Sequence, residues 1–465
     1  MGWSVVESRE KRDLPITVLR YHDFRWLWVG QFVSVFGTQM HNVALSWQVY
    51  QITGSVAQLG LLGLVRAVAL MVTSLVGGAV ADRSDRRRLM FVTQSLLLAL
   101  SAGLAFVSWI GVVNVAWLYL FAMLSASISA FDGPARQALI PTLVPRNQLA
   151  AAMSLFSVGF SLARMVGPAA GGLAIAWIGV SGTYALDAAS FLAVLCALLV
   201  MQTRAGAPAV TSRGIAAIVE GWRFIISTPI ILGVMLIDFF ATLFGSTVGL
   251  APVFAEDVLG VGPTGLGLLL ASPAAGTVVG ATTLGFVRQP RHPGRTVAFA
   301  VIAYGVFLAL FGLSTTLAMA MLFLALAGAA DGISVAMRHT VRNLATPDHL
   351  RGRVAAAHSA LAMGGPRLGE FQSGMTAALI GPRPAMVAGG LLCVLVAIAA
   401  TRLIPEVKRY STDDLSSAAG GDVPAQGAQQ APGPPARAAQ RPTDTHTHVD
   451  EQQQSYPATA PTQRR

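Results

Sequence analysis

Apolar residues in this chain come in blocks of a bilayer-crossing length, about 20 residues as a helix, with short charged or turn-forming connections between them. In the first half the blocks fall at residues 26–50, 56–80, 89–109, 115–131, 150–177 and 182–201. In the second they fall at 230–250, 265–286, 297–313, 317–337, 354–380 and 384–404. The pattern predicts an all-α membrane protein of twelve transmembrane helices in two pseudo-symmetric six-helix bundles. The halves repeat: Asp132-Gly133 with Arg136 recurs as Asp331-Gly332 with Arg338, and Gly167-Pro168 recurs as Gly365-Pro366. Such duplication places a substrate site near the midplane, between the repeats. Between the halves, Ile215, Ile218, Val219, Trp222 and Ile226 recur at helical spacing, predicting an amphipathic helix on the membrane surface. The expected organisation is an N-terminal tail over 1–25, a bundle over 26–202, a linker over 203–228, a second bundle over 229–404 and a disordered tail over 405–465.

Composition agrees with lipid as the solvent. Of 465 residues, 54% are hydrophobic and 12% charged, and the mean hydropathy is +0.60, far from a soluble domain of ordinary make-up. The net charge of +10 does not mark a nucleic-acid binder, because the basic residues are spread among connections instead of gathered on one face. Lys11 and Lys408 are the only lysines and neither follows a glycine-rich loop, which excludes the phosphate-cradling motif of an ATP-driven pump. No metalloprotease, nucleophile-elbow or paired-carboxylate pattern occurs, so no enzyme and no cofactor is expected. His41 has no second ligand at metal-binding spacing, and no metal is expected. Cys196 and Cys393 fall inside spans and read as packing residues. The first 25 residues carry no short apolar segment with a cleavage site, so no removable signal is expected.

Basic residues fix the orientation, since cytoplasmic connections carry the excess. The N-terminal tail and alternate connections hold Arg83, Arg86, Arg87, Arg88, Arg136, Arg146, Arg204, Arg288, Arg291, Arg338, Arg342 and Arg351, whereas the opposite side holds Arg383 alone. Both termini are therefore expected in the cytoplasm, with the chain in the cell (inner or plasma) membrane.

The connection between spans two and three reads Gly77-Gly78-Ala79-Val80-Ala81-Asp82-Arg83-Ser84-Asp85-Arg86-Arg87-Arg88. It resembles the signature of the major facilitator superfamily, with Gly78, Asp82, Arg83, Arg86 and Arg87 matching and Asp85 where a Gly is usual. The resemblance implies that Asp82 meets the N-terminus of helix eleven, a contact the helix dipole favours, and that Asp132 pairs with Arg83 or Arg86 in one conformer and not the other. The alternative is that these charges only stop helices sliding into lipid. Span five contains Gly167-Pro168-Ala169-Ala170-Gly171-Gly172, which resembles the core of the signature of drug–proton antiporters; small residues there also permit close helix approach in any transporter. The segments Asp132 to Pro141 and Leu186 to Phe191 resemble the branch holding the enterobactin exporter and drug-efflux proteins. That implies a monomer moving a small amphipathic drug or siderophore outward with protons as coupling ion. An importer or symporter on the same fold, or a membrane sensor without transport, are the alternatives.

Charges inside a membrane are functional candidates by default. Arg66, Arg164, Asp238, Arg367 and Glu370 sit at mid-span. Arg367 and Glu370, three apart, share a face and read as a pair. Asp238 has no opposite charge within a turn of its own helix, which makes it the proton-site candidate, the alternative being an ion pair with Arg66 or Arg164. Asp187, a few residues into span six, reads as an interfacial anchor or a packing residue of the resembled family. In span one Gln31, Ser34, Thr38 and Asn42 form a polar stripe, with Gln39 beside it, that either contacts substrate or bonds to neighbouring helices.

Overall fold

The computed structural model describes residues 15–202, 215–286, 290–347 and 350–409, and they are helical almost throughout. Eight helices among the described residues are long and apolar enough to cross a bilayer, or nine if the bent pair of Glu220–Ser227 with Pro229–Phe244, angled at 100°, is one span. In chain order, α1 is His22–Thr53, α2 Val56–Arg83, α3 Arg86–Trp109, α4 Val115–Leu139 and α5 Leu149–Val200. α6 is Ile215–Ser227, α7 Pro229–Phe244, α8 the single turn Ala251–Val253 and α9 Gly262–Phe286. α10 is Pro293–Leu313, α11 Leu317–Ala345, α12 Arg351–Ile380, α13 Pro382–Leu403 and α14 Glu406–Arg409. α1 and α12 are long enough to span but too polar to count among the eight.

Local chemistry sets the breaks. Gly54 ends α1 at φ 58, its N–H reaching the Tyr50 carbonyl, a left-handed cap that glycine adopts without strain. Asp85 caps α3 by accepting the backbone N–H groups of Arg87 and Arg88, so the acid standing at the usual glycine position starts the helix. Gly179, at φ 73, breaks the 52-residue α5 where the sequence places the boundary between two spans. Two expected boundaries move. The block 230–250 is helical only to Phe244, continuing through a non-helical stretch into α8 and a π-turn at Phe254–Val258. The tail expected to be disordered from residue 405 opens with α14, anchored by buried Val407; beyond Arg409 it lies outside the described residues, as do residues 1–14 and 203–214.

α5 packs along α1 and α3, and α4 lies on α2 and α3; later in the chain α11 packs on α9 and α10, and α13 on α10 and α7. The main crossing contacts between the earlier and later helices are α5 with α9 and α2 with α12, and α1 also touches α8 and α9. The apolar core is arranged unevenly along the helices. Near the C-terminal end of α1 one cluster joins early and late helices, including Tyr50, Leu59, Leu118, Phe254, Leu266, Phe311 and Ala377. A second cluster, around Phe24, Met90, Leu139 and Val194, lies at the N-terminal end of α1 and holds early residues alone; a third, around Ile231, Val297, Val341 and Ala397, holds late residues alone. Among the described residues, the apolar cluster shared by early and late helices lies at one end.

Candidate transport site

The seal between early and late helices is built from glycines. A β-carbon on Gly374 of α12 would lie 2.6 Å from Cα of Gly60 in α2, and one on Gly172 of α5 would lie 2.9 Å from Cα of Gly267 in α9. Backbone-to-backbone approach of this kind leaves no room for any side chain. Gly167 and Gly171 press instead on α1, where added β-carbons would lie 2.6 Å from Cβ of Gln39 and 2.9 Å from Cα of Met40. The Gly167-Pro168-Ala169-Ala170-Gly171-Gly172 segment therefore touches two helices at once. At the same end the Tyr50 hydroxyl donates to Asp257 in the π-turn.

A cavity of about 310 Å³ is lined by Asp238 of α7, Arg164 of α5, Asp331, Arg338, His339 and Arg342 of α11, and His358 of α12. Arg338 stands between two acids, its Nη2 3.0 Å from Asp238 Oδ1 and 3.4 Å from Asp331 Oδ1. Asp238 thus has no counter-charge on its own helix but has one across a helix contact. Its partner comes from neither Arg66 nor Arg164 but from α11, and a contact between helices leaves no trace in the spacing along either one.

The first-half counterpart has the same design with one exchange. Asp132 Oδ1 accepts from Thr93 and Gln94 at 3.1 and 2.8 Å, and Arg136 Nη1 lies 3.4 Å from its Oδ2. Arg136 also donates to Gln31 Oε1 at 2.9 Å. So the arginine after each Asp-Gly reaches back to the first helix of its half, meeting an amide at Gln31 and a carboxylate at Asp238. In this conformer Asp132 and Arg86 are apart, as one of the two expected conformers requires; Arg86 donates to the Ala138 carbonyl at 3.0 Å and Arg87 to that of Leu198 at 2.9 Å. Gly78, Asp82 and Arg83 lie in the last turns of α2, and the surroundings of their side chains fall outside the described residues.

A second cavity, of about 200 Å³, is lined by Thr38, His41, Asn42, Arg66, Ser101, Asp187 and Arg367 among others. The polar stripe of α1 thus divides: Thr38 and Asn42 face this cavity, while Gln31 is buried and bonded to α4. Gln39 holds Asn42 Nδ2 through its Oε1 at 3.4 Å. Arg367 Nη1 lies 2.8 Å from Glu370 Oε1, the pair that three-residue spacing predicts. Of the two readings of Asp187, its surroundings are those of a packed residue. It is 2% exposed, accepts from Ser101 Oγ at 2.6 Å and lies 3.0 Å from His41 Nδ1. That approach is bent away from the ring N–H direction, so His41 Nδ1 and Asp187 Oδ1 are both left without a hydrogen bond. The reason is the turn at Gly179: the helix resumes at once behind it, so a position close to the chain break already lies inside the packed helices. Among the described residues no group of three His, Cys, Asp or Glu side chains could hold a metal ion.

Asp331, Arg338, His339, Arg342 and His358 were not picked out as site residues from the sequence, although the repeated Asp-Gly with a following Arg marked two of them.

Comparison with known proteins places this architecture. The enterobactin exporter EntS of Shigella boydii serotype 18 (strain CDC 3083-94 / BS512) is 24% identical over 398 residues, covering 85% of this chain and 95% of that protein. EntS of Escherichia coli O81 (strain ED1a) is similar to the same extent. Among solved structures, a bacterial homologue of the human lysosomal transporter Spinster, inward-facing and unoccupied, superposes with a TM-score of 0.68 at 18% identity, over 84% of this chain and 99% of that one. The nucleoside transporter NupG superposes with a TM-score of 0.66 at 11% identity, over 82% and 99%. Residues 14–427 match the family described as transmembrane secretion effector, and the chain therefore belongs to that family of major facilitator superfamily transporters, as a multi-pass membrane protein.

Proposed function

We propose that this transporter exports a small amphipathic molecule of siderophore or drug type by alternating access, driven by proton antiport. The observation that carries the reading is the one-ended seal: early and late helices share one apolar cluster at one end, while the other two clusters hold early or late residues alone, and a charged cavity is lined by both. Two bundles of six spans, 26–202 and 229–404, rocking about the cavities, account for it, with α1 and α12 as spans whose polar faces line the path. The excess of basic residues on the side away from the seal puts that side, and both termini, in the cytoplasm. The conformer is then inward-facing, open to load a cytoplasmic substrate. Similarity to enterobactin exporters supports outward flux and a siderophore-class cargo.

Proton coupling is assigned to Asp238. Two carboxylates share Arg338, so one can be protonated while the other still neutralises the guanidinium. Two acids about one cation cannot both hold their charge equally well in a desolvated site. In the conformer sealed on the other side, Asp132, Arg86 and Arg87 are the first-half switch, with Asp82 and Arg83 acting at the end of α2. The test is transport into everted membrane vesicles under an imposed pH gradient, wild type against Asp238→Asn. Gradient-driven accumulation abolished by the substitution supports the assignment; accumulation that survives it with its pH dependence unchanged removes Asp238 from the coupling.

A further inference from the structure

We infer that the second cavity is an anion-binding subsite in which Arg66 and Arg367, one from each side of the seal, grip a carboxylate, phenolate or sulfonate group of the transported molecule. This rests on the export reading above and adds the charge class of the cargo.

Arg66 carries the argument. It sits on α2 at 9% exposure, yet no carboxylate lies within 4 Å of it among the described residues. The acids of the cavity are committed elsewhere. Glu370 is held by Arg367; Asp187 is hydrogen-bonded by Ser101 and lies against His41. A buried charge without a counter-charge costs several kcal/mol, and an arginine inside a membrane is costly even on the mildest scales, about 2.5–3.5 kcal/mol. Arg66 lies close enough to Arg367 for their charges to repel, an interaction that Glu370 offsets in part. An anion placed between the two guanidinium groups reverses that repulsion and meets planar donors matched to its oxygens.

The cavity also selects for size and shape. Its volume of about 200 Å³ is below the roughly 300–1,000 Å³ of pockets that hold a whole drug-sized ligand, so it takes one charged ring or head group while the rest extends into the 310 Å³ cavity. Arg367 lines this cavity and Arg164 the other, close enough for their charges to repel. Hydroxyl and amide groups of Thr38, Asn42, Ser101 and Ser125 complete the wall, suited to hydrogen-bonding ring substituents. Because Arg66 belongs to α2 and Arg367 to α12, which pack on each other, an anion bridging them ties its own binding to the state that holds these helices together.

The probe pair is 2-naphthoate and its neutral amide, 2-naphthamide, bound to the purified full-length protein in detergent and measured by equilibrium dialysis. Wild type should prefer the anion at least tenfold. Arg66→Gln and Arg367→Gln should each erase the preference, Arg66→Lys should keep part of it, and Arg402→Gln, on the exposed end of α13, should leave it unchanged. Monodisperse elution of each variant confirms folding. Equal binding of both probes to wild type, no saturable naphthoate binding, or a preference that survives both glutamine variants overturns the subsite. Everted-vesicle transport with the same preparations separates the two claims: siderophore export without anion preference sinks only the subsite, whereas Arg66-dependent anion preference without export of any cargo sinks only the export reading.

Discussion

Replacing Gly374 by alanine tests the seal at its tightest point. The new β-carbon would lie 2.6 Å from Cα and 2.8 Å from N of Gly60, against an ordinary carbon contact of about 3.5–4.0 Å. Both obstacles are backbone atoms, so no side chain can rotate away and α2 and α12 must separate by most of the overlap. Overpacking of this kind costs about 1–3 kcal/mol. The cost falls on the sealed conformer alone, because the opposite conformer parts these helices, so the equilibrium should move about 5- to 150-fold toward it. Gly352→Ala is the control, on the same helix but with nothing within 4 Å of its added carbon. Spin labels at Gln51→Cys and Glu256→Cys, both exposed beside the Tyr50–Asp257 contact, report the separation. Exposed Cys196 becomes Ser, and buried Cys393 stays. Electron–electron resonance should show a longer-distance population growing in Gly374→Ala and not in Gly352→Ala. Identical distance distributions in the two variants would refute the reasoning.

Other substitutions probe the remaining contacts. Asp132→Ala strips Thr93 and Gln94 of their acceptor and leaves Arg136 held by Gln31 alone; a loss of about 3–5 kcal/mol, the cost of breaking a buried pair, should lower the thermal midpoint clearly in a detergent melt. Asp187→Asn keeps the shape and an acceptor for Ser101, whereas Asp187→Ala leaves the buried Ser101 hydroxyl without one, so the alanine variant should lower the midpoint of the same melt more than the asparagine variant. Glu220→Gln releases Arg353 and loosens α6 from α12; since Glu220 is half exposed, the change in stability should stay within about 1 kcal/mol.

How far the sequence reveals this arrangement depends on whether a feature is local. Blocks of apolar residues give the helices because burial in lipid demands backbone hydrogen bonding within each segment, and Arg367 with Glu370 is legible because both lie on one face of one helix. Asp238 with Arg338 is not, since their meeting depends on how α7 docks on α11. The depth of Asp187 is hidden for a similar reason. Distance from a chain break says little about depth when Gly179 turns the chain within one residue. The glycine segment of α5 announces close approach, but only packing shows that α1 takes Gly167 and Gly171 while α9 takes Gly172. Asp85 is the converse: standing where the resembled signature has a Gly, it is a helix cap whose partners lie two and three residues ahead.

Direction of flux is the centre of the account, and everted membrane vesicles loaded by this transporter test it most directly. With an inside-acid gradient, vesicles should accumulate radiolabelled enterobactin or another siderophore above control vesicles, lose it when the gradient is collapsed, and fail to accumulate it with Asp238→Asn. Accumulation in right-side-out vesicles instead, with none in everted ones, would contradict export and identify an importer.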